Sequence, residues 1–457
     1  MDYKVAVLGG GPGGYAAAIR ANQLGMSVIL FEKDKLGGTC LNWGCIPTKA
    51  ILSCTDLLRN IKRSEEFGIT ADNIGFDLTK IIQRKDGIVK DLVDGLDKLF
   101  KMRKIEIVRE FGKLTGVNEI TSESGRCITA ENIILATGSK PLNIPALNID
   151  SENVMTSDDV LNIQKVPDKM LVIGGGVVGC EFAGIFSELG SKITIVEMLE
   201  NLLPTEDIQV SRIIQSSFRK KGIGYKLKTK VEEVKVHEAG RIEVRFSDGT
   251  TEEYSKVLAA AGRSVNIKGN GIDEIGIDIE NKRFVRINEN MQTNHKNIYA
   301  VGDITGKMML AHAATAQGLS AVAHIAGKAK SLDYSSIPSA VFTTPEIASV
   351  GAREQDLKKN NTKYIVSRFS FAANGKAKGM GETEGFVKIL TDEKKEKLLG
   401  AHIAGPHASD LLQELVIIKT KGMPTGSLTD SVHAHPTLSE CVLEAAEGIF
   451  DMSIHGL

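Results

Sequence analysis

The stretch Gly37-Gly38-Thr39-Cys40-Leu41-Asn42-Trp43-Gly44-Cys45-Ile46-Pro47-Thr48-Lys49 places two cysteines close together among three glycines. A metal knuckle normally takes a tighter pair and a second Cys or His pair elsewhere, so this spacing argues for other chemistry. If the segment enters a helix near Cys40, an offset of five residues brings both sulfurs to nearly the same side. A small distortion then closes a disulfide. A helix N-terminus there also favours thiolate over thiol. On the pair alone, two structural cysteines in a glycine-rich loop remain the alternative, and the surroundings must decide.

A second candidate set closes the chain: His433-Ala434-His435-Pro436-Thr437-Leu438-Ser439-Glu440, opening a last helix. Glu440 is spaced to orient and charge-stabilise an imidazole for acid–base work. The plainer reading is a histidine at a helix start and a first-turn anion. His312, His402 and His407 have no such company and receive no role.

The elements that position these groups begin with a strand at Val5–Leu8, then Gly9-Gly10-Gly11-Pro12-Gly13-Gly14, a helix over roughly Tyr15–Leu24, and a strand Val28–Phe31 ending at Glu32. Gly9-x-Gly11-x-x-Gly14 in a strand–turn–helix is the dinucleotide fingerprint. Its glycines permit a tight turn and close approach of a pyrophosphate to the helix N-terminus, and Glu32 is placed to accept from a ribose. The same opening recurs 165 residues later: Met170–Ile173, then Gly174, Gly176 and Gly179, a helix, and Ile193–Val196 ending at Glu197. Each acid follows its first glycine by 23 residues. Two such units in register imply two bound adenine dinucleotides. Glu197 accepts a 2′-hydroxyl and repels a 2′-phosphate, and no arginine lies between Met198 and Asp207, which favours NAD over NADP.

Between and beyond these units, helices are expected over about Lys49–Lys62 and Leu78–Phe100, strands over 105–129, and a buried strand 132–135 running into Ala136-Thr137-Gly138-Ser139. Residues 221–255 alternate like strands, and Val257–Arg263 is a strand and turn containing Gly262. Ile298-Tyr299-Ala300-Val301-Gly302-Asp303 is a short strand ending in an acid that binds a polyol or caps the next turn. A helix over Ala311–Ile325 follows. From about Ile337 the pattern becomes α+β, with strands at 340–343, 363–370, 386–390 and 398–403 and a helix at 409–421. That is a reasonable dimerisation module.

A chain of 457 residues exceeds one core. Its 42% hydrophobic and 25% charged residues and net charge of −1 give no polyanion-binding character, so no nucleic-acid partner is expected. Six scattered cysteines are too few for a disulfide-stapled secreted domain. Neither a signal peptide nor a membrane span is read in the sequence, which makes the cytoplasm the default and a membrane partner unexpected.

Two dinucleotide sites and a redox-capable cysteine pair imply an electron relay of nicotinamide, flavin and disulfide. On the motifs Gly37–Lys49, His433–Glu440, Ala136-Thr137-Gly138 and Val301-Gly302-Asp303, the chain resembles the dihydrolipoyl dehydrogenases of the class I pyridine nucleotide–disulfide oxidoreductase family over its whole length. The resemblance implies an α/β fold with two Rossmann-like domains and a C-terminal α+β dimerisation domain. The segments are 1–145 for FAD, 146–265 for NAD, 266–336 completing the FAD site, and 337–457 for the interface.

It further implies that Gly9, Gly11, Gly14 and Glu32 bind FAD, with Asp303 on its ribityl chain, and that Gly174, Gly176, Gly179 and Glu197 bind NAD. Lys49 is expected beside the flavin in a pair with Glu181, and Gly138, Ala311 and Gly262 complete the cofactor contacts. Cys45 faces the flavin and Cys40 exchanges with substrate. His435, held by Glu440, takes a proton from a dihydrolipoyl thiol, reaching the disulfide from the other subunit of a homodimer. The lipoyl group belongs to a partner protein of a 2-oxo acid dehydrogenase or glycine-cleavage type complex.

Trp43, Thr48, Gln317 and the Ala259–Arg263 turn depart from the family pattern. Mercuric reductases carry an extra C-terminal cysteine pair that is missing here, and glutathione-type reductases need basic residues near position 200. A purely structural subunit of a multienzyme complex would not need intact redox residues, and a flavin NADH oxidase would not need both cysteines.

Overall fold

The structure is a computed structural model that describes residues 1–328 and 331–456. Two compact units are present: Met1–Asn143 with Thr156–Lys165 and Gly262–Leu332, and Ile144–Met155 with Val166–Ala261 and Asp333–Leu457. No helix among the described residues is long and apolar enough to cross a membrane.

The first unit is built on Tyr3–Leu8, which pairs in parallel with Val28–Phe31 on one side and Cys127–Leu135 on the other. Glu106–Val108 and Ile298–Ala300 extend the parallel order outward. Period-two alternation sends Val5, Val7, Leu30 and Ile134 to one face, with Ala17, Ala21, Phe100 and Val322. Ala6, Leu8, Ile29, Ile133 and Leu135 go to the other, with Leu114, Ile120 and Ile272. Both faces are covered, which is why these strands read as continuous apolar runs. Helices Pro12–Gln23 and Ala311–Ile325 cross backbone to backbone. A Cβ on Gly13 would stand 3.0 Å from the Ala314 carbonyl oxygen, and one on Gly318 would strike the Gly13 carbonyl.

The helix expected over 49–62 begins earlier, at Cys45, and runs to Lys62. The one expected over 78–100 is Leu78–Met102, with Asp77 accepting the Lys80 N–H as its N-cap.

The second unit repeats the parallel order. Gly224–Lys226, Lys192–Val196, Lys169–Ile173 and Lys256–Ala259 lie side by side, with Val154–Thr156 at the far edge. An antiparallel sheet of Val231–Val236, Ile242–Phe246 and Thr251–Tyr254 accounts for the alternating region. The remainder is a five-stranded antiparallel sheet in the order Ser339–Val341, Glu346–Gly351, Leu398–Gly405, Phe386–Thr391 and Ile365–Ser370. Its core includes Val387, Ile389 and Ile403 of that sheet, Leu412 and Leu415 of helix Ala408–Lys421, and Val442 of helix Glu440–Glu447. Strand Glu346–Gly351 was not among those expected from sequence.

Candidate active site

The cysteine stretch does not form one helix. Gly37, at φ 96°, turns the chain into a short helix Gly38–Trp43, and Gly44 separates this from Cys45–Lys62. A Cβ at Gly44 would come within 3.0 Å of the Thr39 carbonyl oxygen and 3.3 Å of the Cys40 Cα, so the two helices meet there with no room for a side chain. The break, not a shared helix face, brings the sulfurs together. The Cys40 and Cys45 side chains are in hydrogen-bonding contact, with the positive Lys49 close enough to act on Cys40. Contact with Cys45 and then burial push the Cys40 thiol up, and Lys49 pulls the other way. Cys45 opens an eighteen-residue helix, where the helix dipole favours its thiolate. Thr48 answers the departure from the usual residue simply: its Oγ1 donates to the Gly44 carbonyl at 2.7 Å and braces the break.

The two fingerprints match in detail. Gly9 and Gly174 adopt φ of +103° and +107°, and a Cβ on Gly14 or Gly179 would collide with the carbonyl of Gly9 or Gly174 respectively. The Gly10 N–H donates to Glu32 Oε2 and the Gly175 N–H to Glu197 Oε2, both at 2.7 Å.

Asp303 does not end the strand as expected. Ile298–Ala300 stops earlier, and Asp303 lies in a single turn, Gly302–Thr305. The Ser139 hydroxyl donates to Asp303 Oδ2, and Arg263 Nε donates to the same Ser139 oxygen at 2.7 Å. Gln317 supports this turn from the fully buried side of helix Ala311–Ile325: its Oε1 accepts the Gly302 N–H at 2.6 Å. Ala311 is the first residue of that helix. Gly138 and Gly262 take positive φ (+68° and +123°) at the turns that follow their strands. Glu181 is buried in helix Val177–Glu188, where its Oε1 accepts the Phe342 N–H at 3.0 Å.

In the C-terminal loop, His435 Nδ1 lies 2.9 Å from Glu440 Oε1, and Glu440 Oε2 accepts the Thr437 N–H at 2.8 Å. Burial works against ionisation of Glu440, but the Thr437 N–H and the His435 ring prevail and hold its carboxyl below the usual range. With Nδ1 so engaged, the other ring nitrogen is left to meet a substrate.

The description pyridine nucleotide-disulphide oxidoreductase matches residues 3–318, and the dimerisation domain of the same family matches 337–446. The chain is similar to the dihydrolipoyl dehydrogenase of Chlamydia trachomatis at 38% identity, covering 99% of this chain and 98% of that protein. With the dihydrolipoyl dehydrogenase of Bacillus subtilis the identity is 37%, covering 99% of each. Among solved structures it is similar to LpdA from Mycobacterium tuberculosis, with a TM-score of 0.92, 26% identity, and 98% and 99% of the two chains covered. The chain belongs to the pyridine nucleotide-disulphide oxidoreductase family. It is also similar to RclA from Escherichia coli, an HOCl-induced flavoprotein disulfide reductase, with a TM-score of 0.87 at 25% identity over 97% and 99% of the chains.

The cofactors of this family member are FAD and NAD, and the two cradles fit them. Among the described residues nothing lies within 4 Å of a Cβ built on Gly176, and at Gly11 only the Gly38 Cα does, at 3.9 Å. Internal packing therefore gives no reason for glycine at either middle fingerprint position, whereas a pyrophosphate against the backbone does. Ser139, Arg263 and the helix break at Gly44 are site features that sequence reasoning missed. Arg263 and Ser139 stand 124 residues apart, and no local pattern links them.

Proposed function

We propose that this chain oxidises protein-bound dihydrolipoyl groups to lipoyl groups with NAD⁺ as acceptor, as a cytoplasmic homodimer serving a 2-oxo acid dehydrogenase or glycine-cleavage type complex. The carrying observation is the Cys40–Cys45 contact at a helix start, in a chain that presents the dinucleotide frame twice. The dihydrolipoyl dehydrogenases it resembles over their full length supply the substrate class.

The division of labour follows the segments 1–145, 146–265, 266–336 and 337–457. Gly9, Gly11, Gly14, Glu32, Gly138, Asp303 and Ala311 are assigned to FAD, and Gly174, Gly176, Gly179, Glu197 and Gly262 to NAD. Lys49 and Glu181 are assigned as further cofactor contacts.

His435, with Nδ1 tied to Glu440, accepts the proton of a dihydrolipoyl thiol, and the resulting thiolate attacks Cys40 of the oxidised pair. The Cys40–Cys45 bond breaks, a mixed disulfide forms on Cys40, and Cys45 leaves as thiolate. The helix that Cys45 opens stabilises the departing thiolate. The second dihydrolipoyl thiol then closes the lipoyl ring and releases Cys40, leaving the pair reduced by two electrons. Bound FAD supplies the two-electron carrier between that dithiol and NAD⁺. His435 is exposed on its loop, as a group that serves the disulfide of the partner subunit must be.

The test is NAD⁺ reduction by dihydrolipoamide with the purified yellow protein, beside NADP⁺ and, in reverse, glutathione disulfide. Turnover confined to dihydrolipoamide with NAD⁺ is expected. A flavin bleached by NADH without dihydrolipoamide turnover would instead mean another disulfide substrate.

A further inference from the structure

His435 sits in an irregular loop between helices Gly426–Thr429 and Glu440–Glu447, and Glu440 is not the loop's only anchor. His433 is another. Its Nδ1 lies 3.0 Å from the Ser431 carbonyl oxygen, and its Nε2 lies 3.1 Å from Oε2 of Glu414 on helix Ala408–Lys421. The His433 side chain is 7% exposed against 80% for His435, so the two histidines of one motif face opposite ways. From helix Glu440–Glu447, Glu447 also directs its charge at the His433 ring, with Glu444 and His455 near Glu447 in turn.

Both ring nitrogens of His433 therefore face acceptors. A carbonyl oxygen cannot donate, and neither can a carboxylate. A neutral imidazole carries a single N–H, so it satisfies one partner and sets a bare lone pair against the other. Both contacts form together only when ring and carboxyl carry one proton beyond a neutral imidazole and a carboxylate. Burial pushes the Glu414 carboxyl up and outweighs the pull of the facing ring.

We propose that His433 and Glu414 hold one proton between them, and that this proton clamps the loop against helix Ala408–Lys421 so that His435 is positioned for proton transfer. His433 and Glu414 are positioning residues and touch no reacting atom. The kinetic arm of the test rests on the dihydrolipoyl reading, and the spectroscopic arm does not.

Glu414→Gln separates the shared proton from the geometry. An amide N–H donates to Nε2 of a neutral ring whose Nδ1–H still reaches Ser431, so the clamp closes without the extra proton. Glu414→Ala removes it. For Glu414→Gln, dihydrolipoamide turnover at neutral pH should stay within about threefold of the natural protein, the scale of exchanging one hydrogen bond for another. For Glu414→Ala it should fall by about a hundredfold, as misplacement of a proton acceptor does. The ratio of the Glu414→Gln rate to the natural rate should rise at least about threefold between about pH 7 and about pH 10, because only the natural pair releases its proton in alkali. A fixed structural role would leave this ratio flat. Independently, proton NMR of the FAD-loaded dimer should show an exchange-protected downfield resonance at neutral pH that Glu414→Ala and His433→Ala both abolish. A flat ratio, or no such resonance in the natural protein, overturns the proposal. If the natural protein fails to turn over dihydrolipoamide, the substrate reading falls and the resonance alone decides the pair.

Discussion

Glu32 and Glu197 are held in the same frame: each accepts the N–H of the glycine directly after the first fingerprint glycine, Gly10 or Gly175, at 2.7 Å and a second N–H, from Asp34 or Leu199, at 2.8 Å. In the role proposed for them, each carboxylate is thus fixed before a ribose arrives, and binding need not order its rotamer. The match extends to the packing, since a Cβ on Gly10 would press on Leu36 and one on Gly175 on Leu202. The local hydrogen-bond frame is thus duplicated along with the spacing.

Replacing Glu197 by Ala should weaken NAD⁺ use and relax the bias against NADP⁺. Loss of a charged hydrogen bond to the ribose hydroxyl costs about 1.5–3 kcal/mol, so kcat/KM for NAD⁺ should fall roughly ten- to a hundredfold. The 2′-phosphate meanwhile loses its repelling carboxylate. Initial rates with both nucleotides, at unchanged flavin content, check this. An unaltered NAD⁺/NADP⁺ ratio would remove Glu197 from the discrimination.

The third glycines separate the two sites. Gly14→Ala drives a methyl group into the Gly9 carbonyl and should lower flavin content in the purified protein. Gly179→Ala does the same at Gly174, and should leave the protein yellow but with NAD⁺ affinity reduced roughly five- to a hundredfold, given overpacking costs of about 1–3 kcal/mol. Visible absorbance and NAD⁺ titration distinguish the two. Equal flavin loss in both would contradict the division of cofactors.

What could be read from the chain was local. Helix Ala311–Ile325 was placed to the residue, because its alanine-rich run follows a loop and ends before glycine. The fingerprints and their acids are spacing rules, and spacing survives folding. The failures are non-local or rest on one backbone angle. A helix entered near Cys40 is one way to bring Cys40 and Cys45 together, whereas the unusual backbone at Gly44 (φ −137°, ψ −113°) ends one helix and starts another between them. Phe386–Thr391 matches the expected strand at 386–390, but its burial does not show in the sequence: all six residues, Lys388 included, are buried. The acid that makes this possible, Asp207, lies 181 residues earlier. His402 received no role, and it too is buried, with Nε2 on the Ala352 carbonyl at 3.0 Å.

That buried lysine supports a stability prediction. Lys388 Nζ lies 2.9 Å from both Asp207 oxygens and 2.7 Å from Glu354 Oε2, with no exposed surface. Lys388→Met takes the lysine away from buried Asp207 and from Glu354, which keeps Lys358 and Tyr364, and should cost about 3–5 kcal/mol, seen as a lower Tm. Burial pushes Glu354 up, but Lys358, Lys388 and Tyr364 hold it at about 2. A depressed carboxyl stabilises the fold above its ordinary value and loses that contribution as pH falls toward the depressed one. The Tm gap between natural and Lys388→Met proteins should therefore be full at neutral pH and narrow as pH drops below the ordinary glutamate range toward about 2. A gap that widens in acid would refute the ion cluster as its source.

His435, proposed as the proton acceptor, is testable together with the carboxylate behind it. His435→Gln removes the proton acceptor and should lower dihydrolipoamide turnover about 10²–10⁴-fold, the range for losing a positioned acid–base group. Flavin content and Tm should change little, since His435 is exposed. Glu440→Gln keeps an acceptor for the His435 Nδ1–H but loses the charge, so its rate should fall between the natural protein and His435→Gln. Glu440 is held below the usual carboxylate range, so it remains ionised through mild acid and its anchor is lost only as pH falls through that lowered value. Any decline of the natural rate just below neutrality must then come from a group other than Glu440, and Glu440→Gln should retain it. Loss of that acid limb in Glu440→Gln would show instead that the carboxylate itself titrates there. Stopped-flow reduction of the flavin by dihydrolipoamide, against reduction by NADH, would place the defect. Both variants should be slow with the thiol and near natural with NADH, because the role proposed for His435 lies only in the thiol half of the reaction.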